Sequence, residues 1–213
     1  RKIGVLQVPQ RVAWSKGVSP IMVFDPSVYT DFRYSGARID PKTSRVTFDY
    51  ELVGTDSSEK FRETIDLTPV RSAEDVDWPR VKALVALLGS VVGLSYFKAA
   101  APSRYVIAVD GMTQEAIEYL REVIRHGMAE FAYRNEFPGL LEPEIVMEAE
   151  WATSWPSDSH VTPAGDPLVP IGGGKDSVVT VELLANARMH PVQFAVNPNQ
   201  IMYRVARIKG HPF

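Results

Sequence analysis

The chain has 213 residues, 45 % of them hydrophobic, and a formal net charge of −3 at pH 7. That length suits one large domain or two small ones, and the acidic balance argues against a nucleic-acid footprint, which would be basic. With 0 cysteines and 4 histidines, it has no disulfides, no Cys-ligated zinc, no pair of thiols to exchange a proton and no His-x-x-x-His pair.

No apolar run reads as long enough to cross a bilayer and no secretory pattern follows Arg1, so a cytoplasmic protein without a membrane partner is expected. Residues 1–70 read as β-rich. Tyr29 to Ile39 is one strand, with Gly36 marking a bulge. Val46, Phe48, Tyr50 and Leu52 alternate with polar residues in a second. Phe61, Ile65 and Leu67 do so in a third, where Glu63 breaks the pattern. Turn-forming residues at 40–44 and 54–58 join them into an antiparallel meander.

A helical region follows. Asp77 is the expected N-cap with Pro79 in the first turn, and Val81, Leu84, Val85 and Leu88 form the expected core stripe. Gly89 and Gly93 weaken the end of this helix or admit another backbone. Arg104 to Val109 reads as a buried strand. Thr113 caps a second helix with Ile117, Leu120 and Ile124 inward and Gly127 near its end. Met128 to Tyr133 reads as a short helix and Glu142 to Glu150 as carrying a strand. Residues 154–167 hold three prolines among small polar residues and read as a linker.

From Leu168 the pattern is strand, loop, helix, strand, the second strand being Val192 to Val196. Two parallel strands and one helix cannot bury a two-faced sheet, so this part is expected to continue past Phe213. The loop is Gly172-Gly173-Gly174-Lys175-Asp176-Ser177, after the apolar run Leu168 to Ile171 and before the helical run Val178 to Leu184. A glycine turn opening a helix makes an anion site, because backbone N–H groups converge there and the helix dipole favours negative charge. Walker A requires Ser or Thr where Asp176 stands, and the dinucleotide fingerprint requires Gly where Ser177 stands. The segment resembles the pyrophosphate loop of N-type ATP pyrophosphatases, Ser-Gly-Gly-x-Asp-Ser, with Gly172 in place of the leading Ser. The plain alternative is a glycine turn with no ligand. The expected class is therefore α/β. An α+β N-terminal domain with antiparallel strands and helices spans 1–153. The linker spans 154–167, and the start of a Rossmann-like parallel α/β nucleotide-binding domain spans 168–213.

Further segments narrow the resemblance: Phe32-Arg33-Tyr34-Ser35-Gly36, Gly93 to Ala100 with its Ser-Tyr-Phe-Lys, and Glu130-Phe131-Ala132-Tyr133-Arg134-Asn135. With the loop, they resemble the ATP-dependent epimerase family acting on UDP-N-acetylmuramoyl-L-alanyl-L-glutamate in bacterial peptidoglycan precursor synthesis. The resemblance implies ATP and Mg2+, a UDP-N-acetylmuramoyl dipeptide substrate, and functional pairing with a ligase that adds L-glutamate. It also implies adenylation of the terminal carboxylate with release of pyrophosphate, loss and return of the α-proton, and hydrolysis. A cyclic oxazolone, closed by attack of the alanyl carbonyl oxygen, is one form of the activated species.

Gly172, Gly173, Gly174 and Ser177 are the expected pyrophosphate contacts. Lys175 either joins them or points to solvent. Asp176 orients the loop, caps the helix or approaches Mg2+, and Asn197 lies at the strand end where such sheets bind ligands. Lys98 is the candidate carboxylate ligand or base, with an exposed helix-end lysine as the alternative. Tyr96 binds substrate or belongs to the core, and Arg134 with Asn135 grips an anion or forms a surface capping pair. His126, His160, His190 and His211 read as structural. The competing functions are another adenylating ligase or amidotransferase, and a non-catalytic nucleotide-binding module.

Overall fold

The computed structural model describes residues 25–67, 77–152, 154 and 166–207. His160, His211 and most of the expected linker lie outside them. The chain divides into two compact units, residues 1–157 and 158–213.

In the first unit, β1 (Tyr29–Asp40), β2 (Arg45–Gly54) and β3 (Ser58–Asp66) form the antiparallel meander that their alternation predicts. The bulge falls between Tyr34 and Gly36. It shifts the phase by one residue, so Phe32 and Tyr34 point into the core before it and Ala37 and Ile39 after it. Helix α1 (Trp78–Val92) is capped by Asp77, whose carboxylate accepts the Arg80 N–H at 3.1 Å. One turn, α2 (Leu94–Phe97), follows. Then come β4 (Arg104–Ile107), α3 (Gln114–Gly127) capped by Thr113, α4 (Ala129–Arg134) and β5 (Glu144–Met147).

The sheet order is β3-β2-β1-β4-β5, and β4 joins β1 in parallel, as β5 joins β4. The first unit is thus a mixed α/β layer rather than an α+β unit of antiparallel strands alone. The long helical connections before β4 and β5 are what permit parallel pairing. Helices α1 and α3 share one core with the inward strand residues. Ion pairs tie strand residues to one another or to the residue just past β5, among them Arg104 with Asp31, Arg38 and Arg62 with Asp49, and Arg33 with Glu148.

The core is aromatic. Phe32 lies 4.9 Å from Tyr105 and Tyr34 lies 5.3 Å from Tyr50, centroid to centroid, and Phe97 closes the group. These rings fill the space above the strands, so α1 must turn small residues toward them: Ala86, Gly89 and Ser90 are buried. The expected leucine stripe is accordingly rotated, with Leu84 51 % and Leu88 44 % exposed. Gly89 and Gly93 admit side chains, not a backbone: a Cβ on Gly89 would meet the Tyr34 hydroxyl at 2.0 Å and Phe48 at 2.6 Å. The stretch Trp78–Phe97 does have the length and hydropathy to cross a membrane, contrary to the sequence expectation, but 44 % of an 18-residue run within it is buried within the protein. Its apolarity serves the core on one side.

In the second unit, β6 (Leu168–Pro170) and β7 (Val192–Phe194) pair in parallel, with α5 (Lys175–Asn186) between them in sequence and α6 (Gln200–Ala206) after them. Val169, Ile171, Val181 and Val205 form its small core.

Three buried tyrosine hydroxyls divide sharply. Tyr50 donates to the Gly89 carbonyl and Tyr105 to the Ser90 carbonyl, each at 2.7 Å, whereas the Tyr34 hydroxyl has no partner among the described residues. Removing a satisfied hydroxyl should cost about 1 kcal/mol, and removing an unsatisfied one should cost little. Denaturant unfolding should show Tyr105→Phe less stable by about that amount and Tyr34→Phe unchanged or more stable. Gly89→Ala should lose roughly 1–3 kcal/mol to overpacking despite better helix propensity, and Tyr34→Phe in the same chain should recover part of it.

Candidate functional site

The glycine loop sits between the end of β6 and the start of α5. Gly173 has φ +82°, a left-handed conformation that a side chain would strain. A Cβ there would also come within 3.2 Å of Ile201 and Met202 on α6, so the loop is closely backed. The N-cap of α5 is Gly174, which offers no side-chain bond. Ser177 is turned to the loop instead: its Oγ accepts the Gly172 N–H at 3.0 Å. The N–H groups of Lys175, Asp176 and Ser177 are therefore first-turn donors without a cap. Asp176 does not cap the helix. Its side chain and that of Lys175 are exposed, with no hydrogen bond or ion pair among the described residues. Asn197, φ +48°, lies just past β7. Asn199, which the sequence does not single out, caps α6 by accepting the Ile201 and Met202 N–H groups.

In the first unit the structure brings Lys98, Arg134 and Asn135 to one cleft of about 310 Å³, together with Phe131 and Glu130. Lys98 ends α2, and its Nζ lies 5.7 Å from the centre of the Phe131 ring, within cation–π range. Arg134 pairs with Glu130 at 2.7 Å across one turn of α4, its side chain 73 % exposed. Asn135 ends that helix, its Nδ2 donating to the Phe131 carbonyl at 2.8 Å. The last two thus make the surface ion pair and the capping contact while they line the cleft. Phe131 is the residue that spacing does not reveal here, because its role depends on α2 and α4 meeting.

Tyr96 is not in this cleft. Its hydroxyl donates to Glu63 at 2.7 Å and its ring stacks on Phe61 at 4.8 Å. Partial burial, with help from the Glu63 hydrogen bond and charge, pushes the Tyr96 phenol up to about 12. Glu63 is the out-of-pattern residue of β3, and its misfit signals a carboxylate that needs a partner on the helix side. His126 pairs with Glu122 in the last turn of α3, and His190 follows α5. Among the described residues no group of three or more His, Asp and Glu is arranged for a metal.

The chain is mixed α/β, and its glycine loop opens a helix that has no side-chain cap. The family match makes this particular. Residues 23–213 match the MurL N-terminal domain model, and the chain belongs to that family. Three relatives carry the name UDP-N-acetyl-alpha-D-muramoyl-L-alanyl-L-glutamate epimerase. One from Micromonospora sp. is 36 % identical over 84 % of this chain and 40 % of its own length. One from Salinispora tropica is 33 % identical over 85 % and 39 %, and one from Xanthomonas oryzae pv. oryzae is 29 % identical over 89 % and 41 %. The chain thus spans about 40 % of the length of these relatives, and the family match runs through both units.

If Tyr96 is a structural partner of Glu63, its raised phenol has a definite signature. The protonated phenol is the form the fold favours. The stability it contributes is fully present below its ordinary value of 10.0 and is lost as pH rises from there through about 12. Tyr96→Phe should remove that alkaline fall, read as the difference in denaturant midpoint between the two proteins across this range.

Proposed function

We propose that this chain is part of a cytoplasmic enzyme that inverts the terminal L-glutamate of UDP-N-acetylmuramoyl-L-alanyl-L-glutamate to D-glutamate, converting ATP to AMP and pyrophosphate. The observation that carries this proposal is the uncapped N-terminus of α5 behind Gly172–Gly174, in a chain whose relatives are named for that epimerisation. On this basis the second unit is the beginning of a pyrophosphate-loop nucleotide-binding domain.

In the proposed reaction the glutamyl α-carboxylate attacks the α-phosphorus of ATP, and the bond to pyrophosphate breaks. The acyl-adenylate no longer carries the carboxylate charge, so its α-proton becomes far more acidic. A base takes that proton and it returns from the other face. Water then attacks the acyl carbon, and AMP leaves with one oxygen of the former carboxylate. This route needs no thiols, in keeping with a chain that has 0 cysteines.

The chain's own groups have separable parts in this scheme. The N–H groups of Lys175, Asp176 and Ser177, with the Lys175 ammonium, receive the pyrophosphate, and Gly172 and Gly173 let it approach the backbone. Asn197 closes the nucleotide side of the loop. Magnesium suits this set, because it keeps most of its waters and takes few carboxylates beside substrate phosphates. Asp176 would hold it, and when bound it offsets phosphate charge. Lys98, a cation seated over Phe131, binds a glutamyl carboxylate, and Arg134 and Asn135 assist. The substrate must come from an enzyme that adds L-glutamate to a UDP-N-acetylmuramoyl-alanine acceptor.

Full-length protein incubated with this substrate, ATP and Mg2+ should yield D-glutamate after hydrolysis, scored by chiral chromatography, with pyrophosphate in step. Pyrophosphate without D-glutamate would contradict the epimerase assignment in favour of a ligase. Lys175→Ala and Asp176→Asn should each slow pyrophosphate release by roughly 10²-fold, the scale for losing one charge-stabilising contact. Lys98→Ala and Arg134→Ala should act chiefly on the KM for the sugar nucleotide, by about 10-fold.

A further inference from the structure

The Lys98 cleft, at about 310 Å³, is too small for a whole sugar nucleotide, since drug-sized ligands alone occupy roughly 300–1,000 Å³. The first unit has a larger opening of about 1050 Å³. Its origin lies in strand lengths. β1 runs to Asp40, but β4 pairs with it only from Asp31 to Tyr34 and ends at Ile107. Beyond the bulge, the β1 edge that faced β4 has no strand beside it among the described residues. The residues after β4, through Asp110 and Gly111, and the first turns of α1 complete the opening.

Three cations line it: Lys82 from the α1 side, and Arg38 and Arg45, which alternate with the inward Ala37, Ile39 and Val46 and so stand on the opposite face of the sheet, at the open β1 edge. Lys82 is exposed and makes no hydrogen bond or ion pair among the described residues. Arg38 shares the single carboxylate of Asp49 with Arg62, which leaves that group one positive charge in excess. Arg45 is 3.7 Å from Asp66. Of the two carboxylates in the lining, Asp40 is occupied by the Lys42 N–H and the Thr43 hydroxyl, and Asp110 has no such partner among the described residues.

We propose that this crevice is the subsite for the nucleoside-diphosphate end of the sugar nucleotide. Lys82 faces the diphosphate from the α1 side, Arg38 and Arg45 add positive charge from across the β1 edge, and Asp110 accepts a hydroxyl of the ribose or sugar. The bare backbone at Gly111, φ +94°, permits close approach. The inference rests on the substrate class proposed above and assigns its remote charges to a place separate from the reacting carboxylate. Binding energy from such a remote group can be used to orient the reacting end.

The test titrates full-length protein calorimetrically with UDP, and separately with ADP, in the wild type, Lys82→Glu and Arg45→Ala. Both positions are exposed, and thermal unfolding checks that each variant is folded. Losing one charge-assisted contact should weaken UDP at least 10-fold in Lys82→Glu, with a parallel rise in the KM for the sugar nucleotide and none in the KM for ATP. UDP affinity unaffected by both variants, or no UDP binding at all, would overturn the subsite. ADP affinity falling in step with UDP would overturn it too, giving the crevice to the ATP phosphates. If UDP binding depends on Lys82 but no D-glutamate forms, the subsite stands and the epimerase assignment falls. If D-glutamate forms and UDP ignores both variants, the reverse holds.

Discussion

The first unit is organised by one packing constraint: a wall of aromatic rings on the strands meets a helix that has almost no side chain where they touch. Phe32, Tyr34, Phe48, Tyr50 and Tyr105 leave room only for Gly89, Ser90 and Gly93 opposite them. Two of the rings then anchor the helix by hydrogen bonds to its carbonyls. Aromatic pairs in such offset and edge-to-face arrangements contribute beyond their buried area. The position of α1 along the sheet is fixed by these contacts. Because Gly93 leads directly into α2, the same contacts set where Lys98 meets Phe131. A glycine that looks like a weakness in a helix is here the surface on which the rest registers.

Local signals were the legible ones. Asp77 and Thr113 cap the helices they precede, because a short acceptor before an apolar period needs only its own neighbours. The phase of β2 and the bulge in β1 follow from alternation and one glycine. The inward face of α1 was not legible. Leucines at helical spacing resemble a core stripe, and only the depth of the aromatic wall turns them outward. The parallel addition of β4 and β5 depends on pairing between distant segments, which no local pattern carries. Tyr96 shows the same limit at the scale of a site: its partner Glu63 is 33 residues away in sequence, though the break in alternation at Glu63 marked that something was required there.

The two chemically interesting regions differ in how they are made. The Gly172–Ser177 loop is local: glycine, a positive φ and a helix start suffice, and so it reads directly from the sequence. Its donors are left open because Ser177 bonds back to Gly172 and Gly174 cannot cap. The Lys98 cleft is tertiary, a consequence of α2 and α4 meeting beneath one lysine. On the proposal above, activation belongs to the first kind of site and substrate recognition to the second.

The most direct measurement follows oxygen. Substrate carrying ¹⁸O in the terminal glutamyl α-carboxylate is converted by full-length protein with ATP, and the AMP is analysed by phosphorus NMR or mass spectrometry. If the carboxylate is adenylated and then released by attack at its carbon, each AMP must carry one ¹⁸O from the substrate. D-glutamate formed alongside AMP that holds no substrate oxygen would contradict activation of the carboxylate as the basis of the inversion.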